Sequence, residues 1–84
     1  DAVEQRMAAC GQLVGPIRST YWWKGTIETA EEWLCLFKTT SARARALEEW
    51  IRSRHPYEVP EIITLGLEAV SGEYGEWIED ETSD

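Results

Sequence analysis

The stretch STYWWKGTIE, residues 19–28, decides how the middle of this chain folds. Lys24 and Gly25 stand between two runs rich in aromatic and β-branched residues, and glycine supplies the backbone freedom that a two-residue hairpin turn needs. The sequence therefore predicts a long antiparallel hairpin, with one strand over residues 10–23 and its return over residues 26–40. Gly15 and Pro16 interrupt the first strand. Because proline cannot donate to a ladder, we expect a bulge or a sheet edge there.

The returning strand is apolar on both of its faces near its centre. Alternation sends two sets of side chains to opposite sides: Trp33, Cys35 and Phe37 to one, and Leu34, Leu36 and Lys38 to the other. A strand with this pattern is covered on both sides, or one of its faces meets another subunit.

A helix is predicted over residues 41–54, SARARALEEWIRSR. Ala44, Leu47 and Ile51, with Trp50 beside them, recur at the helical period on one face. The hydroxyl groups of residues 39–41 offer N-caps. His55 and Pro56 end the helix, because the residue before a proline avoids the α region.

The remaining segments are shorter. Residues 1–10 read as the last turns of a helix whose start is absent, and residues 61–67, EIITLGL, as a short strand that Gly66 breaks. Residues 71–80 are typical of a short helix capped by Ser71, and the tail over residues 79–84 is expected to be solvated charge.

This order of elements predicts a single α+β domain over residues 1–84, with one antiparallel sheet and helices on one face. In that arrangement a strand precedes the first helix, and this chain lacks it. We therefore expect the chain to be incomplete at its N-terminus.

Composition narrows the classes of function. The net charge of −8 argues against binding nucleic acid by phosphate neutralisation. No apolar run approaches the ~20 residues of a membrane span, and we expect no signal peptide. The two cysteines, Cys10 and Cys35, stand in apolar settings, which favours buried free thiols in a reducing compartment and thus the cytoplasm. Five tryptophans in 84 residues suit an interface as well as a core.

Ligand chemistry concentrates in RHPYEVPEII, residues 54–63. His55 is the only histidine, and imidazole is a common metal ligand. Glu58 or Glu61 could add a carboxylate, and Cys10 or Cys35 a thiolate, a donor set that favours copper or zinc. The spacing itself contains no metal motif, so the residues alone favour a histidine that ends a helix and bonds to backbone.

Four motifs in order resemble the CutA family of divalent-cation tolerance proteins: AAC at residues 8–10, STYWWKGTIE at 19–28, KTT at 38–40 and HPYEVPEI at 55–62. The resemblance implies a ferredoxin-like βαββαβ sandwich with an extra C-terminal helix. It also implies a tight homotrimer, similar in design to the PII signalling proteins. Relative to that fold, the first strand and most of the first helix are missing from this chain.

The resemblance also implies where a site would lie. It makes His55, Glu61 and Cys10 the candidate ligands of copper or another divalent cation. Trp23, Lys38 and Tyr57 are placed near the same cleft between subunits. This sequence departs from the family pattern at Arg54, where members can carry a second histidine. A cysteine that some members carry on the first strand has no counterpart here.

Three functions are distinguished on this basis. The first is a trimeric, non-enzymatic protein of divalent-cation tolerance that binds Cu(II) near His55. The alternative is a PII-like structural or signalling trimer that binds a small ligand or a partner protein and has no direct role for a metal. An enzyme is disfavoured, because the chain offers no nucleophile, base and orienting group, so no catalytic residue is assigned.

Overall fold

The computed structural model of this chain describes residues 1–56 and 58–83. Two long strands, β1 (Cys10–Trp23) and β2 (Thr26–Lys38), are followed by two helices, α1 (Ser41–Arg54) and α2 (Gly72–Thr82). The protein is therefore α+β, as predicted, and its elements are consistent with a ferredoxin-like fold. No helix in the described part of the chain is both long and apolar enough to cross a bilayer.

The predicted hairpin is confirmed. β1 and β2 pair antiparallel from Cys10 opposite Lys38 at the base to Trp23 opposite Thr26 at the tip. Lys24 and Gly25 form the turn with φ angles of 50° and 83°, the two positive values that a type I′ turn requires. This turn matches the right-handed twist of the strands, so it fixes the register of the whole ladder.

The interruption at Gly15 and Pro16 is a β-bulge. The register shifts between Val14 and Ile17, so that two residues of β1 stand opposite Trp33 alone. The indole of Trp33 lies against the backbone of Gly15, where a Cβ atom would come within 2.9 Å of Cε3. Glycine is therefore required here by the close approach of a side chain from the partner strand.

The first seven residues form the C-terminal end of a helical turn. Arg6 has a φ of 64°, and the amides of Arg6 and Met7 donate to the carbonyls of Val3 and Ala2 at 3.1 and 3.0 Å. These two bonds and the left-handed residue make up a Schellman motif, a common end of an α-helix. The prediction of a helix end in this segment is confirmed.

The core lies at the base of the hairpin, beneath α1. Leu47, Ala2 and Ala8 are buried together, and four partly buried residues pack against them: Met7, Phe37, Trp50 and Ile51. Two hydrogen bonds connect the N-terminal segment to the end of β2 in the same region. The amide of Ala9 donates to the carbonyl of Lys38 at 2.8 Å, and the hydroxyl of Thr39 donates to the carbonyl of Met7 at 2.6 Å.

Both ends of α1 and the start of α2 lie close to the positions predicted from the sequence. Thr40 and Ser71 occupy the N-cap positions of α1 and α2, but neither side chain donates or accepts a capping bond. His55 is extended, with φ −78° and ψ 135°, as expected before a proline.

Three expectations from the sequence are wrong. Residues 61–67 form no strand, because a strand needs a partner and the sheet in the described part of the chain contains only β1 and β2. The tail is not solvated charge throughout, since α2 continues to Thr82, which is 3 % exposed. Both cysteines are free, but neither is buried: Cys35 is exposed and Cys10 is half-buried.

Much apolar surface of the hairpin is uncovered in this chain. Its radius of gyration is 14.9 Å and its longest extent 45 Å, whereas a compact chain of this length has a radius of about 12 Å. Nine large side chains of β1 and β2 are exposed: Leu13, Val14, Ile17, Tyr21, Trp22, Ile27, Trp33, Leu34 and Leu36. They lie on both faces of the sheet, as alternation places them.

Substitution of Gly15 by alanine tests the bulge. A Cβ atom there overlaps the ring of Trp33, so we expect the free energy of unfolding to fall by about 1–3 kcal/mol. Gly66→Ala is the control, because nothing lies within 4 Å of a Cβ at that position. Equal midpoints of urea unfolding for the two variants would contradict the packing of Trp33 on Gly15.

Candidate functional site

The tip of the hairpin contacts the segment that follows α1. The ammonium group of Lys24 lies 3.8 Å from Oε2 of Glu58 and 5.6 Å from the centre of the Trp23 ring. Glu58 is three residues after His55, within about 10 Å of chain. The fold thus brings Trp23 toward the segment that carries the predicted ligands.

The helix end before this segment is fixed by its last residues. Arg54 places its guanidinium 4.5 Å from the centre of the Trp50 ring and donates to the hydroxyl of Ser53 at 3.1 Å. Arg54 is therefore engaged with its own helix. His55 follows it and is half-buried, while Glu61 is exposed.

Cys10 and Lys38 lie elsewhere, at the base of the hairpin. They stand opposite each other in the ladder, close to the start of α1, whereas His55 follows the other end of this helix, whose axis is about 21 Å long. Lys38 donates from Nζ to Oε1 of Gln12 at 2.6 Å. Within one subunit, the predicted site residues are therefore divided between the base of the hairpin and the region around its tip.

Cys10 contacts α2. Its Sγ lies 3.8 Å from the hydroxyl of Tyr74. This hydrogen bond with the thiol, together with desolvation, raises the pKa of the Tyr74 phenol above its ordinary value. Alternation places Cys10 and Phe37 on opposite faces of the sheet, so α2 touches the face that α1 does not cover at this point.

One chain alone does not assemble the predicted metal centre. Among residues 1–56 and 58–83, no three side chains of His, Cys, Asp or Glu lie close enough together to hold an ion. His55, Glu61 and Cys10 therefore do not fit a metal as a set within a single copy. Tyr57, the remaining predicted cleft residue, lies outside the described residues.

Two contacts of this region were not anticipated from the sequence. The first is the bridge from Lys24 to Glu58, and its only signal is that a turn lysine and a loop carboxylate carry opposite charges. The second is the pairing of Tyr74 with Cys10, which are 64 positions apart. No spacing rule links residues at such separation.

A long antiparallel hairpin that is followed by a helix packed at its base makes this an α+β protein whose elements are consistent with a ferredoxin-like fold. The model of the family described as "CutA1 divalent ion tolerance protein" matches residues 1–81. The chain belongs to this CutA1 family.

Relatives and solved structures agree with this assignment. The divalent-cation tolerance protein CutA of Thermotoga maritima is 46% identical over 76 residues, which cover 90% of this chain and 74% of that protein. Protein CutA of Mus musculus is 47% identical over 76 residues, covering 90% of this chain and 43% of its own length. The crystal structure of CutA from Xylella fastidiosa superposes with a TM-score of 0.94 at 35% identity, covering 98% of this chain and 79% of that one. This chain thus spans less than half of the mouse protein.

Proposed function

We propose that this chain is the subunit of a non-enzymatic homotrimer that contributes to divalent-cation tolerance and binds Cu(II) in clefts between its copies. The observation that carries the proposal is the uncovered hairpin. Its exposed aromatic and aliphatic side chains lie on both faces and along most of its length. Surfaces of this kind mark sites of protein association.

The amount of solvent-accessible surface supports a ring-shaped assembly of several copies. The chain exposes 6853 Å², whereas a compact monomer of this mass exposes about 5,100 Å². The excess is roughly 1,750 Å², and a standard interface buries about 800 Å² on each partner. Each member of a closed ring makes two such interfaces, which accounts for the excess. The number three comes from the resemblance to the family.

The distribution of the candidate ligands also supports clefts between copies. Cys10 lies at the base of the hairpin, while His55 and Glu61 lie beyond the far end of α1. A neighbouring copy can bring its base to this segment, and one chain does not. The imidazole of His55, the carboxylate of Glu61 and the thiol of Cys10 would then form a donor set suited to copper. Trp23, Lys38 and Tyr57 would line the same cleft.

The non-enzymatic part of the proposal rests on the sequence and on the names of the relatives. His55 is the sole imidazole of the chain, and no nucleophile with a neighbouring base was found along the sequence. The family and the relative from Thermotoga maritima are described as tolerance proteins.

Replacing Trp22 by alanine tests the assembly. Trp22 is 71 % exposed in one chain, so its loss leaves the core of the chain intact but removes a large contact from an interface. We expect Trp22→Ala to weaken the trimer by about 2 kcal/mol or more per interface, so that it dissociates on dilution at concentrations where the parent stays assembled. Sedimentation velocity over a dilution series measures this.

The control is Trp77→Ala, which removes an exposed indole from α2 instead of the hairpin. Its mass should follow that of the parent. A Trp22→Ala protein that remains as large as the parent at every concentration would contradict an interface on the hairpin.

Mixed trimers test the metal site. If each site takes His55 from one copy and Cys10 from its neighbour, neither His55→Ala nor Cys10→Ala alone binds Cu(II) tightly. Trimers refolded from both variants together contain intact sites wherever the two kinds of chain adjoin in the right order. Native mass spectrometry during a Cu(II) titration should show bound copper only in the mixed trimers and in the parent.

The same spectra separate the alternatives. Copper on trimers of either single variant, at the affinity of the parent, would rule out this ligand set. A parent trimer that gains copper only indiscriminately would favour the PII-like function, in which the cleft holds a small ligand or a protein. A parent that is monomeric would overturn the assembly itself.

A further inference from the structure

Helix α2 is joined to the rest of the chain by an irregular connector. Between α1 and α2, the described residues, 55, 56 and 58–71, belong to no helix and to no ladder. The position of α2 therefore depends on the contacts that it makes itself. These contacts are made by Tyr74 near its start, by the buried Ile78 in its middle, and by Glu81 and Thr82 at its end.

The C-terminal end of α2 is held by two arginines from other parts of the chain. Arg6 donates from Nη1 to Oε1 of Glu81 at 2.7 Å, and Arg43 donates from Nε to the carbonyl of Thr82 at 2.7 Å. The second bond satisfies one of the carbonyl groups that a helix leaves without an intrahelical partner.

The two arginines also compensate unfavourable negative charge at the end of α2. The last turn of α2 contains no basic residue and carries three acidic ones, Glu79, Asp80 and Glu81. Negative side chains at this end oppose the helix dipole, which places partial negative charge there. Because the compensating charges lie outside the helix, α2 loses them whenever its end moves away from Arg6 and Arg43.

Two side chains of α2 are buried in its C-terminal half. Ile78 and Thr82 are buried, at 6 % and 3 % exposure. An open pocket of about 230 Å³ lies between Glu81 and the first residues of the chain, with Val3, Ala8 and Ala9 among its walls. Two buried side chains and the polar bonds to Arg6 and Arg43 therefore attach this end of α2.

The N-terminal half of α2 covers the thiol of Cys10. The hydroxyl of Tyr74 lies 3.8 Å from Sγ, and Cys10 is half-buried while Cys35 is exposed. Tyr74 and Thr82 are eight residues apart, or about 12 Å along the helix axis. Release of the arginine contacts at one end thus frees the contact at the other.

We propose that α2 is a strap over Cys10, closed while Arg6 and Arg43 hold its last turn and opened by local unfolding when they release it. Local opening of one element without global unfolding is a general property of weakly attached segments. The arginine contacts are ionic or charge-assisted, so salt weakens them and favours the open strap. The proposal concerns the access of reagents to one thiol and does not depend on the binding of a metal.

Alkylation of Cys10 by iodoacetamide tests the strap. The reagent is neutral, and the assembled protein carries Cys35→Ser so that only Cys10 reacts; intact mass gives the rate. Arg43→Gln removes a charge-assisted bond, and we expect the rate to rise about tenfold or more. Glu81→Gln removes the partly exposed pair with Arg6, and a rise of about two- to fivefold is expected. Raising the salt should accelerate the parent.

Glu79→Gln is the matched control, because it removes the same charge from the same turn at an exposed position. It should react no faster than the parent, because loss of this charge only relieves its opposition to the helix dipole. Amide hydrogen exchange of the same proteins distinguishes local from global opening. Faster exchange in α2 with unchanged exchange in α1 supports the strap. Equal acceleration in both helices, or no acceleration of alkylation in Arg43→Gln and Glu81→Gln, overturns it.

Discussion

The structure depends on how the hairpin of β1 and β2 is covered. A two-stranded sheet is marginal in water by itself, since stability requires further strands or packing against helices. Here α1 covers the base, where Phe37 joins the small core around Leu47. Elsewhere along the hairpin, Leu13 and Trp22 remain 68 % and 71 % exposed. The ladder has a fixed register, yet most of its apolar surface faces solvent in one chain.

Because the hairpin is packed unevenly, the chain has two regions, one around the base of the hairpin and one around its tip. The base is tied by backbone and hydroxyl bonds, such as those of Ala9 and Thr39, and by the core beneath α1. The tip and the segment after α1 meet through exposed charges, where Lys24 approaches Glu58, and such a pair contributes only about 0–1 kcal/mol. The residues proposed for function lie in both regions, and the proposed site therefore combines residues from more than one copy.

Local patterns in the sequence predicted the elements that local rules determine. The turn at Lys24 and Gly25 follows from backbone freedom, α1 ends at Arg54 because Pro56 follows, and the bulge follows from Pro16. The prediction of a strand at residues 61–67 was wrong because hydrophobic periodicity does not reveal whether a partner strand is present. The end of α2 was misjudged because the sequence does not reveal that Arg6 pairs with Glu81 and that Arg43 bonds the carbonyl of Thr82.

The candidate site was predicted as a set of residues and not as a geometry. His55, Glu61 and Cys10 were assigned by resemblance to a family, and their positions in one chain do not bring them together. Tyr74, which touches Cys10, carried no signal in the sequence, because only the tertiary fold joins the two ends of the chain.

The central claim is that further copies of this chain cover the hairpin, and the mass of the unaltered protein in solution tests it most directly. Sedimentation equilibrium at micromolar concentration should give three times the chain mass of 9.6 kDa. A single species of 9.6 kDa that stays folded at these concentrations would contradict the claim. It would show that the chain tolerates its exposed apolar faces without a partner copy.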